Sequence, residues 1–197
     1  MSALLKPQPV PPRIFTWTEY EHEDAQSDAK IEFANGQLYA MAGATSNHNR
    51  ISLNVASELR QGLKGKSCEA FVSDMKLRID LGYDEIGYYP DVMVICDPQD
   101  NHAKHRTNPK VIIEVLSKST LRIDKGEKLL AYQAIPGLEA YVMLHQEAKR
   151  AVVHRRSNQW WPEILEGDDA VLTLDEIGIQ IHFRDIYDRV DWSEVEP

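Results

Sequence analysis

Apolar positions recur at two spacings along this chain, and the two mark different elements. Ile51, Val55, Leu59 and Leu63 lie four apart, which predicts a helix from about Ser46 to Leu63 that stops at Gly65. A short helix is predicted over Thr16 to Asp24 (TWTEYEHED), with Thr16 and Glu19 at capping-box spacing. In KIEFANGQLYAMA, Lys30 to Ala42, the Asn35-Gly36 pair predicts a hairpin turn between two short strands. CEAFVS and MKLRIDLG read as strands, and IGYYPDVMVIC as one further strand. Residues 97–109 read as a polar loop, and VIIEVL as the strand after it. Thr120 to Ala134 reads as a helix with Leu121, Leu129, Leu130 and Tyr132 as its apolar members, ended by Pro136-Gly137. LEAYVMLH is a strand, KRAVVHRRS and QWWPEIL a hairpin, GIQIHF a last strand and FRDIYDRV a short helix. The order predicts an α/β fold: a central mixed sheet flanked by helices, additional antiparallel strands, and a parallel crossover between Val111 and Leu144.

Size and charge narrow the picture. At 197 residues, one domain is expected over 14–192, with an extended proline-containing arm over 1–13 and a tail over 193–197. No apolar run approaches the roughly 20 residues that span a bilayer, and MSALLKPQPVPP lacks a signal-peptide core. The expectation is a cytoplasmic protein with no membrane partner, its Cys68 and Cys96 being reduced core thiols. The net charge is −9, which weighs mildly against a nucleic-acid binder, although a local basic groove can coexist with an acidic remainder. A carboxylate-lined metal site would also raise the acid count.

One residue breaks the apolar pattern. Glu114 sits among Val111, Ile112, Ile113, Val115 and Leu116, and a buried charge is costly unless it is paired or binds a metal. Asp91 follows Tyr89-Pro90 at the start of the neighbouring strand candidate. If the two strands pair, both acids converge at one sheet edge. Mg²⁺ binds through one or two carboxylates plus waters and phosphate oxygens. Such an ion polarises a phosphoryl oxygen and activates a bound water, and a nearby lysine stabilises developing negative charge.

The ordered set of motifs resembles the Uma2 family, an offshoot of the PD-(D/E)XK nuclease superfamily that includes restriction endonucleases. The resemblance is carried by Pro90-Asp91, by Glu114-Val115-Leu116-Ser117 with Ser119-Thr120, by Asp124, Lys128 and Tyr132 at four-residue spacing, and by Gly137 before Glu139-Ala140-Tyr141. Glu32 with Asn35-Gly36, and His48 at a helix start, agree with it. It runs from about Phe15 to Tyr187. It implies a restriction-endonuclease-like core and hydrolysis of DNA phosphodiesters, with Asp91 and Glu114 as ligands to Mg²⁺ or, in substitution, Mn²⁺. The superfamily usually places a lysine two residues after the glutamate; here that position is Leu116. Lys128, from the following helix, is the expected replacement, with Lys118 and Lys125 as alternatives. His48 and Glu32 would complete the site, and a homodimer would suit cleavage of both strands.

Plainer readings stand beside these. Glu114 can pair with a basic residue, Asp91 can cap a turn, and Lys128 can pair with Asp124 on an exposed face. His48 can cap its helix, and Glu32 can form a hairpin salt bridge. His102 and His105 read as a solvated loop, Trp160-Trp161 as packing, and the basic clusters at 104–110 and 149–156 as surface charge. The rival function is a catalytically silent nuclease fold that serves as a nucleic-acid-binding or oligomeric interaction module. Leu116 and the net charge both favour that rival.

Overall fold

The computed structural model describes residues 13–41, 43–117 and 124–194, and the side chains of Asp124, Lys125 and Glu194 lie outside that description. The N-terminal arm, Ala42, Lys118, Ser119-Thr120 and the end of the tail also lie outside it.

Helix α1, Trp17–Gln26, begins at the predicted capping box: the Thr16 hydroxyl accepts from the Glu19 amide while the Glu19 carboxylate reaches back to Thr16. Strands β1, Ile31–Ala34, and β2, Gln37–Ala40, form the predicted hairpin. Asn35 and Gly36 both take positive φ, 52° and 68°, the turn that matches strand twist. Helix α2 spans Ser46–Gly62. Strands β3, Glu69–Val72, and β4, Lys76–Asp80, follow.

The stretch read as one strand from Ile86 to Cys96 is two, in different sheets. Strand β5 is Glu85–Tyr88 and β6 is Val92–Ile95, with Tyr89-Pro90-Asp91 between them. Proline has no N–H to give to a ladder, so the strand breaks there and the chain crosses between sheets. The loop over 97–109 also contains more than expected. His105–Arg106, here β7, pairs in parallel with Lys76 and Leu77.

Strand β8 is Pro109–Leu116. The helix expected over 120–134 is described only from Asp124. It opens as a π-helical turn, Asp124–Lys128, and continues as α3, Leu129–Gln133. Strands β9, Ala140–His145, and β10, Arg150–Arg155, lead to β11, Pro162–Glu166. Val171–Leu174, β12, was not anticipated; it pairs with β13, Ile179–His182, before the short helix α4, Phe183–Ile186.

A six-stranded mixed sheet runs β11-β10-β9-β8-β6-β3, with β8 and β9 parallel as the crossover required. A five-stranded sheet runs β2-β1-β5-β4-β7. Period-two alternation sends Val111, Ile113 and Val115 of β8 to one face, under Ile51, Val55 and Leu59 of α2. Ile112 and Leu116 go to the other face, where Leu77, Ile79 and Ile86 of the second sheet and Ala131, Tyr132 and Ile135 cover them. Glu114 shares the parity of Ile112 and Leu116, so it points between the two sheets. Burial on both faces explains why β8 is almost wholly apolar and why its one acid stands out.

Cys68 and Cys96 are joined in a disulfide and packed half-buried against the first core, which corrects the expectation of free thiols. Glu69 faces Ile95 across the antiparallel β3–β6 pair, so the next residues out are brought opposite each other. The cysteines therefore supply no argument for a reducing compartment. Among the described residues no helix is long and apolar enough to cross a membrane.

Candidate active site

The five acids and bases singled out from the sequence meet where the two sheets approach. Glu114 comes from β8, Glu32 from β1, His48 from the first turn of α2, Lys128 from the π-helical turn and Asp91 from the link between β5 and β6. Glu114 and Lys128 are almost completely buried, at 4% and 5% exposure. Lys128 Nζ lies 3.1 Å from Glu114 Oε1 and 3.2 Å from Glu32 Oε1. The Tyr132 hydroxyl donates to the same Glu114 oxygen at 2.8 Å, and the Asp91 amide donates to Glu114 Oε2 at 3.2 Å. These contacts explain how an apolar strand carries a carboxylate: its charge is matched by an ammonium and two hydrogen-bond donors.

Asp91 is anchored across the sheet rather than capping its own turn. Its Oδ2 accepts from the Val115 amide at 2.7 Å and lies 3.2 Å from His48 Nε2. Its backbone carbonyl accepts from the Ser73 amide at 3.1 Å. Capping of α2 falls to Thr45, whose hydroxyl accepts from the His48 amide and so leaves the imidazole to reach Asp91. Glu32 pairs with Lys128 and not within its hairpin, and its Oε1 also accepts from the Tyr89 amide at 3.3 Å.

Leu116 is buried in the second core, and the ammonium that would follow the glutamate in sequence arrives from Lys128. The burial of Lys128 removes the exposed-face reading. Lys118 and the Lys125 side chain lie outside the described residues. The Tyr132 phenol has its pKa raised by burial and then by the Glu114 charge, so it stays a neutral donor. The sequence reading missed Tyr88, whose ring lies 5.2 Å from Lys128 Nζ and edge-on to Tyr132. The tandem tyrosines just before Pro90-Asp91 were the available signal.

The donor set fits a hard divalent cation. Asp91 and Glu114 bring two carboxylates together, and Asp91 Oδ1 has no hydrogen-bond partner among the described residues. No group of three or more His, Cys, Asp or Glu residues among them is placed to hold a metal ion, so a cation here would rest on two carboxylates and take its other ligands from water. The His102 and His105 rings stack on one another, with centroids 3.8 Å apart. The pair is not a solvated loop throughout, since His105 is buried and its pKa is lowered by that burial. Trp160 packs against the second core while Trp161 is exposed.

The basic clusters are largely neutralised. Lys110 pairs with Glu139, Lys149 with Asp168, Arg150 with Glu166, and Arg155 with Glu163 and Glu176. Arg156 is taken up by the Leu138 and Ile135 carbonyls.

Comparison with known proteins places this geometry in a family. The Uma2 family model, described as "Putative restriction endonuclease", matches residues 17–184. The chain belongs to the Uma2 family. A Synechocystis protein, the uncharacterized sll1609, is 37% identical over 163 residues, covering 80% of this chain and 91% of that one. A second, the uncharacterized slr1290, is 31% identical over 184 residues, covering 92% of each. The fold is that of an Anabaena variabilis crystal structure described as "a putative nuclease belonging to DUF820". Its TM-score is 0.66 at 16% identity, over 82% of this chain and 91% of that one. The Uma2 match spans every element that supplies the site, from β1 to the π-helical turn.

Proposed function

We propose that this Uma2 protein is a metal-dependent endonuclease, a hydrolase that cleaves DNA phosphodiester bonds with water as the nucleophile. The observation that carries the reading is the convergence of Asp91, Glu114 and Lys128 from three separate elements. The family description and the nuclease description of the Anabaena structure support it.

Asp91 and Glu114 would hold Mg²⁺, or Mn²⁺ in its place. Bound there, the ion would supply Lewis-acid polarisation of the phosphoryl oxygen and a more acidic water. Lys128 offers positive charge beside the carboxylates, positioned to stabilise the charge that develops on the phosphate. Glu32 holds that ammonium in place from the opposite side. His48 lies against Asp91 and can orient a water or carry a proton at the site edge. Tyr132, a neutral donor, fixes the Glu114 carboxylate. Two copies acting together would suit both strands of a duplex.

The test is cleavage of DNA with Mg²⁺ or Mn²⁺ by the purified protein beside Asp91→Ala and Glu114→Ala. Cutting by the wild type alone is the expected result, and equal cutting by all three removes the proposal. The pairing of most of the described basic side chains with acids favours a second reading, a nuclease fold that binds without cutting. Calorimetric titration separates the two: Mn²⁺ binding that disappears in both variants supports the enzyme, and none in the wild type supports the silent fold.

A further inference from the structure

A second buried lysine, Lys76, lies beside Tyr89, outside the site described above. Lys76 Nζ is 2.9 Å from Asp24 Oδ2, and both side chains are about nine-tenths buried, at 8% and 12% exposure. The Tyr89 hydroxyl donates to the same Asp24 oxygen at 2.6 Å, and the Ile31 amide donates to the other at 3.0 Å. The ammonium sits 4.2 Å above the Tyr20 ring, with the Trp17 and Tyr89 rings at 5.6 and 5.7 Å. Gly87 makes room for that floor, because a Cβ there would fall 2.6 Å from a Tyr20 ring carbon.

Such a pair is a weak source of net stability, since well-packed apolar residues commonly do as well. What it offers is geometry. Tyr89-Pro90-Asp91 is the link between the two sheets. It is tied by side chains and by isolated backbone contacts rather than by a strand ladder. Tyr89 is its pivot: the hydroxyl is held by Asp24 and the amide by Glu32. Pro90 fixes the next φ. Asp91 then has its amide on Glu114 and its carboxylate on the Val115 amide.

We propose that Asp24, Lys76 and Tyr89 form a positioning device that sets Asp91 against Glu114 and His48. None of the three touches the reacting atoms. The device reaches from α1 and β4 through one phenol to the link. It deepens the metal-site reading and rests on it only for its consequences in binding and rate.

The test uses the full chain with Tyr89→Phe, which removes one hydroxyl and keeps the ring, and with Lys76→Met as a second variant. Amide hydrogen exchange is followed by NMR at Tyr89 and Asp91, with Val142 and Val153 as core references. Tyr89→Phe is expected to speed exchange at Tyr89 and Asp91 by about tenfold or more, the factor carried by a hydrogen bond to a charged group. The core references should stay unchanged. Unchanged exchange at Asp91, or an equal rise across β9 and β10, overturns the proposal. Mn²⁺ titration of the same samples should show about tenfold weaker binding in Tyr89→Phe, with kcat lowered and KM for DNA unmoved. Equal Mn²⁺ affinity in the two proteins overturns the device as an influence on the site. A wild type that takes up no Mn²⁺ overturns the metal reading instead, and the exchange rates still decide the positioning.

Discussion

Tyr89 joins the surroundings of two buried lysines, its hydroxyl donating to Asp24, the partner of Lys76, and its amide to Glu32, a partner of Lys128, and those surroundings differ in one respect that matters. Lys76 faces one carboxylate, Asp24, within a wall of aromatic rings. Lys128 faces Glu32 and Glu114, with Asp91 alongside. In formal charges the first cluster balances. Among the described side chains, the second sets the carboxylates of Glu32, Asp91 and Glu114 beside the ammonium of Lys128. Glu32, Asp91 and His48 also retain partial access to solvent, at 14%, 15% and 16% side-chain exposure. A one-to-one ion pair is suited to holding a backbone segment in place, and under the proposed function the carboxylate-rich cluster is the one that would take up a divalent cation.

The largest expected effect breaks the carboxylate-rich cluster. Asp91→Ala or Glu114→Ala should lower divalent-metal-dependent cleavage by more than about 100-fold, read as initial rates on DNA. Next, Lys128→Met removes the ammonium that Glu32 and Glu114 share. Thermal or urea unfolding should show a loss of about 3–5 kcal/mol. Lys76→Met should cost a similar or smaller amount, because the Tyr89 and Ile31 donors still satisfy Asp24. The sharper contrast is the double replacement Asp24→Leu with Lys76→Met. Unfolding midpoints should recover toward the wild type as the buried charges leave together, while cleavage stays impaired because Tyr89 has lost its partner.

A smaller effect separates the clusters by pH. Burial works to raise the Asp24 pKa, but the Tyr89, Lys76 and Ile31 hydrogen bonds outweigh it and hold the carboxyl below its usual value of 3.8. A depressed folded pKa contributes stability that is present above the unfolded value and fades as pH falls through the folded one. Stability should therefore decline below about pH 4. Asp24→Asn should flatten that decline, as measured by urea midpoints down to pH 2. Smallest of all, Tyr132→Phe should lower cleavage by about tenfold with little change in melting, since it removes one donor to Glu114 and keeps the ring.

Much of this arrangement was legible in the chain. The Asn35-Gly36 turn, the Thr16–Glu19 box and the four-residue spacing of α2 are local signals, and each formed the element it predicts. The acids were legible for a related reason, since Glu114 breaks an apolar run and Asp91 follows a proline. The break at Tyr89-Pro90-Asp91 was misjudged because the residues on both sides favour strands. Only the assignment of β5 and β6 to separate sheets shows that the chain turns there. Strand β12 escaped notice because VLTL is short and owes its place to pairing with β13. The disulfide depends on the register of β3 against β6, and two cysteines 28 residues apart do not reveal that register. The Lys76–Asp24 pair joins β4 to α1 across a long stretch of chain, and no local pattern signals it.

The sequence alone determined most of the helices and strands, the near-continuous apolar run of β8, and which carboxylates sit where burial makes charge costly. These follow from periodicity and from the free energy of burying polar groups, both written residue by residue. Tertiary structure decided which cation answers each carboxylate. Lys128 meets Glu114 from 14 residues away and Glu32 from the other sheet, and Lys76 meets Asp24 directly, with the Tyr89 hydroxyl on the same oxygen. Coulomb attraction depends on distance through space, and the packing of two sheets against one another sets that distance.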